Sequence, residues 1–282
     1  MCEHCGCGLP GAEPVTISDH HHEHEHEHEH AHSHDHDHPH EHSHGHEHDE
    51  SAAAGEERRT IEVRRAILEK NNLLAERHRG FFRARGLLVL NILSSPGSGK
   101  TTLIEETIRR LESRLKTGVI VGDLATDNDA RRLRASGAPV VQINTGTVCH
   151  LDSQMVGGAL KQLDLTGLQL LIIENVGNLV CPASYDLGED LRVVLLSVTD
   201  GEDKPLKYPP IFQSANAAVI SKLDLAEACD FNRDMALANL RRLAPAAEVF
   251  ELSAKTGQGM EAWCDYVLQQ HQAAKTRDPL SV

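Results

Sequence analysis

The stretch Ser94-Ser95-Pro96-Gly97-Ser98-Gly99-Lys100-Thr101-Thr102 constrains this chain more than any other. It follows an apolar run, Leu87-Leu88-Val89-Leu90-Asn91-Ile92-Leu93. It precedes a helical pattern from Thr102 to Leu115, with apolar residues at Leu103, Ile104, Ile108, Leu111 and Leu115. Strand, glycine-rich turn and helix, with a lysine and a hydroxyl closing the turn, is the phosphate-binding loop arrangement. Gly97 and Gly99 let the backbone wrap closely and turn its N–H groups inward, and the helix N-terminus adds partial positive charge. On this basis Gly97, Ser98, Gly99, Lys100, Thr101 and Thr102 cradle phosphates. Lys100 reaches the terminal phosphates, and Thr101 sets its hydroxyl on Mg2+. Ser94 stands where the first glycine is usual, and serine is small enough to be tolerated there.

The remaining body repeats the strand-then-helix theme. Gly118 to Asp123 is a strand ending in an acid, so Asp123 falls at a strand's carboxyl end and is a candidate Mg2+ or water-positioning residue. Residues 126–132 start a helix, with Asp129 either a cap or a site residue. Val140 to Asn144 is the next strand, followed by the loop dipeptide Cys149-His150 and a helix to about Leu163. Adjacent Cys and His cannot complete a tetrahedral site. They need a ligand from elsewhere or the same pair from a second subunit, or else they are an ordinary loop thiol and an exposed imidazole. Gln169 to Glu174 is almost wholly apolar, as a strand covered on both faces should be. Past it, Glu174 and Gly177 suit a loop that senses the terminal phosphate. Cys181 lies in the same loop, as a structural cysteine or as a ligand that would feel that loop move.

Two later elements read the base. Ala217 to Ile220 runs into Ser221-Lys222-Leu223-Asp224, the [Asn/Ser/Thr]-Lys-x-Asp pattern that follows a strand in GTPases. The Asp224 carboxylate accepts from both guanine N1–H and the 2-amino group, a donor pair adenine lacks. Val249 to Leu252 runs into Ser253-Ala254-Lys255, the second guanine-contacting loop. GTP is therefore expected over ATP, and hydrolysis is expected to rest on Lys100, Asp123 and Glu174. No arginine finger is evident, so slow turnover is expected. Strands at Arg192–Val198 and a closing helix at about 259–270 complete an α/β domain, a mostly parallel sheet with helices on both faces. The role of 200–209 does not follow from its residues. Residues 56–83 read as a helical extension, with His78 on its surface, and Cys229 and Cys264 as packing residues.

The net charge of −14 belongs to the N-terminus: residues 1–57 hold 15 acids and no Lys or Arg, and the rest of the chain is nearly neutral. No basic patch suggests nucleic acid, and no apolar run is long enough to span a membrane. The start lacks a secretory signal, which makes the cytoplasm the expected location. Residues 1–55 read as a disordered tail, 56–86 as the helical extension and 87–282 as the GTPase domain. The tail opens with Cys2, His4, Cys5 and Cys7, thiolates and imidazole suited to Zn2+ or Ni2+. From His20 to His48 come 16 histidines in 29 residues, interleaved with acids rather than uninterrupted as an expression tag would be. Such a tract holds several ions weakly, and less well as pH falls through about 6.5.

Taken together, Cys2-x-x-Cys5-Gly6-Cys7, the histidine tract, Gly97-Ser98-Gly99-Lys100-Thr101, Cys149-His150, the segment from Glu174 to Pro182 and Ser221-Lys222-Leu223-Asp224 resemble one family. It is that of the hydrogenase nickel-incorporation GTPases, HypB, in the SIMIBI class of NTPases. The resemblance implies GTP hydrolysis, a GTP-dependent homodimer, and Ni2+ or Zn2+ binding. It also implies delivery of nickel to the [NiFe]-hydrogenase large subunit with the accessory protein HypA. It implies a tight site at Cys2, Cys5 and Cys7, and a weaker one at Cys149, His150 and Cys181. Urease nickel-insertion GTPases are similar but carry Cys-Pro-His at the metal loop. A nickel or zinc storage and detoxification protein with a regulatory GTPase body is the alternative that the histidine tract suggests.

Overall fold

The computed structural model describes residues 50–123 and 128–276. The expectations for Cys2, Cys5, Cys7 and the histidine tract lie outside the described residues. The chain divides into two units, Met1–Val63 and Arg64–Val282; the described part of the first is the opening of helix α1 (Glu50–Ala84). That helix begins before the position read from sequence, because Ala52, Ala53 and Ala54 are the strongest helix formers available and propagate it into residues 50–55, read from sequence as the end of the tail.

The second unit alternates strand and helix. Its strands are β1 (Leu88–Leu93), β2 (Thr117–Asp123), β3 (Val140–Asn144), β4 (Leu170–Glu174), β5 (Leu191–Ser197), β6 (Ala217–Ser221) and β7 (Glu248–Glu251). They form one seven-stranded sheet in the order β3-β2-β4-β1-β5-β6-β7, with every adjacent pair parallel. The helices are α2 (Lys100–Leu111), α3 (Asn128–Arg134), α4 (Ser153–Leu160), α5 (Lys204–Lys207), α6 (Pro209–Gln213), α7 (Arg233–Leu243) and α8 (Met260–Thr276). Strand β1 shows why the sheet is sandwiched. Leu88, Leu90 and Ile92 pack with Leu103 and Ile104 of α2 and with Trp263 of α8. Val89 points to the opposite layer with Val156 of α4 and Phe82 of α1. Each such side chain contributes about 1.5–3 kcal/mol on burial. The indole N–H of Trp263 donates to the Thr107 hydroxyl at 2.9 Å, so its one polar atom is satisfied in the core.

This topology carries every strand's carboxyl end to one edge. The phosphate loop leaves β1 there, with β4 and β5 on either side, at the point where the winding reverses. Three expectations need correction. Helix α7 was not foreseen, although Asn232 caps it by accepting from the Met235 N–H at 3.0 Å. Cys229 is exposed in a short 3-10 turn, not packed; Cys264 is buried in α8. His78 is half-buried rather than on the surface, tilted against Phe82 with its centroid at 6.0 Å; burial pulls its pKa below the ordinary histidine value. Among the described residues, no helix is long and apolar enough to cross a membrane.

Candidate nucleotide and metal site

Gly97 and Gly99 take left-handed backbone angles, φ 72° and 93°, which close the loop onto the first turn of α2. Lys100 is buried and its ammonium donates to the Ser94 hydroxyl at 3.1 Å. Thus Ser94, in place of the first glycine, holds the lysine back along the loop. Burial pulls the Lys100 pKa below its ordinary value, against the opposing fields of Glu174, Asp129, Asp123 and Asp200. A buried ammonium at the closing turn of a glycine loop, beside a helix N-terminus, fits a phosphate-binding role.

The two segments expected from sequence to read the base meet that loop directly. Ser221 donates to the Ser98 carbonyl at 2.8 Å, which ties this segment to the phosphate loop. Lys222 adopts φ 62°, and its aliphatic stem lies over Gly99. Ser253 donates to the Asp224 carboxylate at 2.6 Å, which orients the acid. A cavity of about 320 Å³ opens here, lined by Ser98, Gly99, Thr102, Lys222, Asp224, Ser253, Ala254 and Lys255 among others. The structure thus brings the phosphate loop and the segments around Asp224 and Ser253 around one space.

Asp123 lies half-buried at the end of β2, and residues 124–127 beyond it are outside the description. Glu174 ends β4 and accepts from the Thr101 hydroxyl at 2.7 Å. Its second oxygen, Oε2, is buried with no hydrogen-bond partner among the described residues. Burial pushes the Glu174 carboxyl up to about 7, against the Thr101 hydroxyl and the Lys100 charge. The Thr101 hydroxyl and an orphaned carboxylate oxygen are hard donors, which fit Mg2+. Asp129 is half-buried in the first turn of α3, 3.9 Å from Arg132, as a helix-start acid would be. Three residues past Glu174, a Cβ on Gly177 would fall 2.9 Å from the Pro96 Cα, so this loop rests on the phosphate loop with no space for a side chain.

The same loop reaches the cysteines. Donor atoms of Cys149, His150 and Cys181 all lie within 4.8 Å of one another. The two sulfurs are 3.1 Å apart, well beyond a disulfide bond of about 2.05 Å. Thiolates bound to one tetrahedral ion at about 2.3 Å would sit roughly 3.8 Å apart, so a small opening admits the ion. His150 is buried, and its Nδ1 has no hydrogen-bond partner among the described residues. Burial lowers the imidazole's pKa, which favours the neutral form a ligand needs, against the opposing Asp152 charge. Two sulfurs and one imidazole are a borderline-to-soft set suited to Ni2+ or Zn2+ and leave a fourth position open.

Sequence reasoning missed two supports of this cluster. Tyr185 stacks on His150, ring centroids 3.9 Å apart, and so fixes the imidazole plane. Asn178 donates to the Cys149 carbonyl at 3.1 Å and accepts from the Val180 N–H at 2.9 Å, tying the two ligand loops together. Asn178 sat in the quoted segment without a role; nothing in the sequence pointed to Tyr185. The loop beginning at Asp200, opaque in sequence, places that carboxylate 3.1 Å from the donating Ser98 hydroxyl.

Residues 88–251 match the family described as CobW/HypB/UreG, nucleotide-binding domain. The chain is 50% identical over 214 residues to hydrogenase maturation factor HypB of Escherichia coli strain K12, covering 76% of this chain and 74% of that one. It is 41% identical over 217 residues to the hydrogenase/urease maturation factor HypB of Helicobacter pylori strain 26695, covering 76% and 89%. Among solved structures, that of HypB from Helicobacter pylori in complex with nickel is similar with a TM-score of 0.70 at 41% identity, over 74% of this chain and 99% of that one. The hydrogenase maturation factor HypB of Archaeoglobus fulgidus is similar with a TM-score of 0.68 at 41% identity, over 72% and 99%.

Proposed function

This chain belongs to the HypB family of hydrogenase maturation factors and carries a P-loop nucleotide-binding domain, and from that premise we propose that it hydrolyses GTP to deliver Ni2+ to the [NiFe]-hydrogenase large subunit. One observation carries the coupling. The loop that starts at Glu174, against Thr101, rests Gly177 on the phosphate loop and ends at Cys181, against Cys149. A change at the γ-phosphate that moves this loop changes the sulfur separation within the same few residues.

In this reading Gly97, Ser98, Gly99, Lys100, Thr101 and Thr102 hold the phosphates. Asp224, with Lys222 and the Ser253-Ala254-Lys255 backbone, selects guanine. Asp123 and Glu174 flank the attacking water, and Lys100 offsets charge developing on the phosphoryl oxygens. Mg2+ bound at Thr101 would supply further neutralisation of the terminal phosphate oxygens. Nickel is the cargo at Cys149, His150 and Cys181. The open fourth position suits a ligand from a second copy in a GTP-dependent homodimer, or from a receiving protein. HypA and the large subunit are the proposed receivers, in the cytoplasm. We take residues 1–55 as a tail whose Cys2, Cys5 and Cys7 hold Zn2+ or Ni2+ and whose histidines store nickel. Residues 56–86 are then the extension and 87–282 the GTPase domain.

The test is nickel release from the loaded full chain in GTP, a non-hydrolysable analogue and GDP. A nucleotide-dependent fraction that Cys149→Ala removes is the expected result. Identical release in every nucleotide state would sink the coupling and leave a storage protein.

A further inference from the structure

The two ligand-bearing segments are joined a second time, away from the nucleotide, by a residue of helix α1. Asn71 is buried. Its amide N–H donates to the Asp186 carbonyl at 2.8 Å, and its Oδ1 accepts from the Ser153 N–H at 2.8 Å. Ser153 lies three residues past His150, and Asp186 five past Cys181. The Ser153 hydroxyl closes the triangle, donating to the same Asp186 carbonyl at 2.7 Å. Arg79, two turns further along α1, grips the Asp186 carboxylate through both oxygens at 2.7 and 2.9 Å. The contact is tight: a Cβ on Gly188 would fall 2.6 Å from the Ala75 carbonyl oxygen.

We infer that Asn71 is a positioning residue for the internal metal site, holding the Cys149-His150 and Cys181 segments at the separation one ion needs. The inference rests on the reading that these three residues hold nickel. Without Asn71 the segments keep the Asn178 contact, the Ser153–Asp186 bond and the Tyr185 stack, but lose the two bonds that fix them to one point of α1, and the ion must supply more of the ordering itself. Outer-shell partners of metal ligands commonly change affinity by about 10- to 100-fold on removal. The clamp also makes the helical extension a handle. A force or partner that shifts α1 shifts both ligand segments without touching the nucleotide loops.

The test uses the full chain with Cys2, Cys5 and Cys7 each changed to Ser, titrated with Ni2+ alone. Sulfur-to-nickel charge-transfer absorption then reports the internal site, and histidines of the tail are silent in it. Adding Cys149→Ser sets the zero. Asn71→Ala is expected to weaken the affinity read from this band by roughly tenfold, with GTP affinity unchanged and Leu73→Ala, on an exposed position of the same helix, without effect. Ser153→Ala is expected to give a smaller loss of the same kind, and it decides the matter alone if Asn71→Ala does not fold. An unmoved affinity in the folded variant, or GTP affinity falling by the same factor, overturns the clamp. No charge transfer before Asn71 is changed overturns the metal reading itself, and the clamp with it.

Discussion

Glu174 is buried beside the phosphate loop, bonded to Thr101 and with its carboxyl pushed up by burial. Its folded pKa, about 7, lies above the ordinary 4.5, so the native state binds this proton more tightly than the unfolded chain does. The corresponding stability is fully present below pH 4.5 and is lost as pH rises through 7, a change of about 3 kcal/mol. Glu174→Gln, neutral throughout, should flatten that part of the profile; urea unfolding of the nucleotide-free protein between pH 4.5 and 8 measures it. A slope identical in both proteins would place the titration elsewhere. At Asp224 the proposed chemistry is base selection. Asp224→Asn turns an acceptor pair into a mixed donor and acceptor, and GTP affinity should fall about 10- to 100-fold, while ATP affinity stays as weak as before. Calorimetric titration with each nucleotide decides this.

Among the elements, the loop between β4 and the 3-10 turn at Cys181–Ser184 matters most. It has no regular structure, and its position is set by what it touches. Gly177 on Pro96 is the contact with least slack, because backbone meets backbone. Gly177→Ala should displace the phosphate loop and weaken GTP binding by tenfold or more, at about 1–3 kcal/mol for overpacking. The unfolding midpoint should change less, since Gly177 lies outside the sheet core. Equal losses of stability and affinity would make it a general packing defect. Strands β1 to β6 and helix α2 were legible in sequence, because strands covered on both faces are nearly all apolar, β3 is a short β-branched run, and α2 keeps its apolar stripe. Helix α7 was not: its face is only Ala236, Leu237 and Leu240, too sparse to stand out over eleven residues.

At the scale of the whole molecule, the charge and the metal donors are unevenly shared. The first 57 residues hold 15 acids and no Lys or Arg, against a nearly neutral body. Deleting residues 20–48 should therefore reduce the number of Ni2+ ions bound near pH 7.5 and remove most of the pH dependence between 5.5 and 7.5, where free imidazoles titrate. The nucleotide-dependent fraction of release should remain. Equilibrium dialysis over that pH range, followed by release assays, would test both parts. Loss of the nucleotide response on deletion would instead favour the storage protein with a regulatory body.

What the sequence determined by itself is the set of local chemistries: the glycine-lysine-threonine turn after an apolar strand, the Ser-Lys-x-Asp run, the cysteine and histidine pairs. Each is carried by residues close in the chain, so spacing alone displays it. What only the tertiary structure decided is which of them meet. Cys149 and Cys181 stand 32 positions apart and Asn71 lies 82 before Ser153. Parallel strands bring every carboxyl end to one edge, and there segments far apart in the chain become neighbours. Tyr185 against His150, Asn71 across the two ligand segments and Asp200 on the phosphate loop are contacts of that kind. They depend on the strand order and on burial around the edge, which no run of adjacent residues encodes.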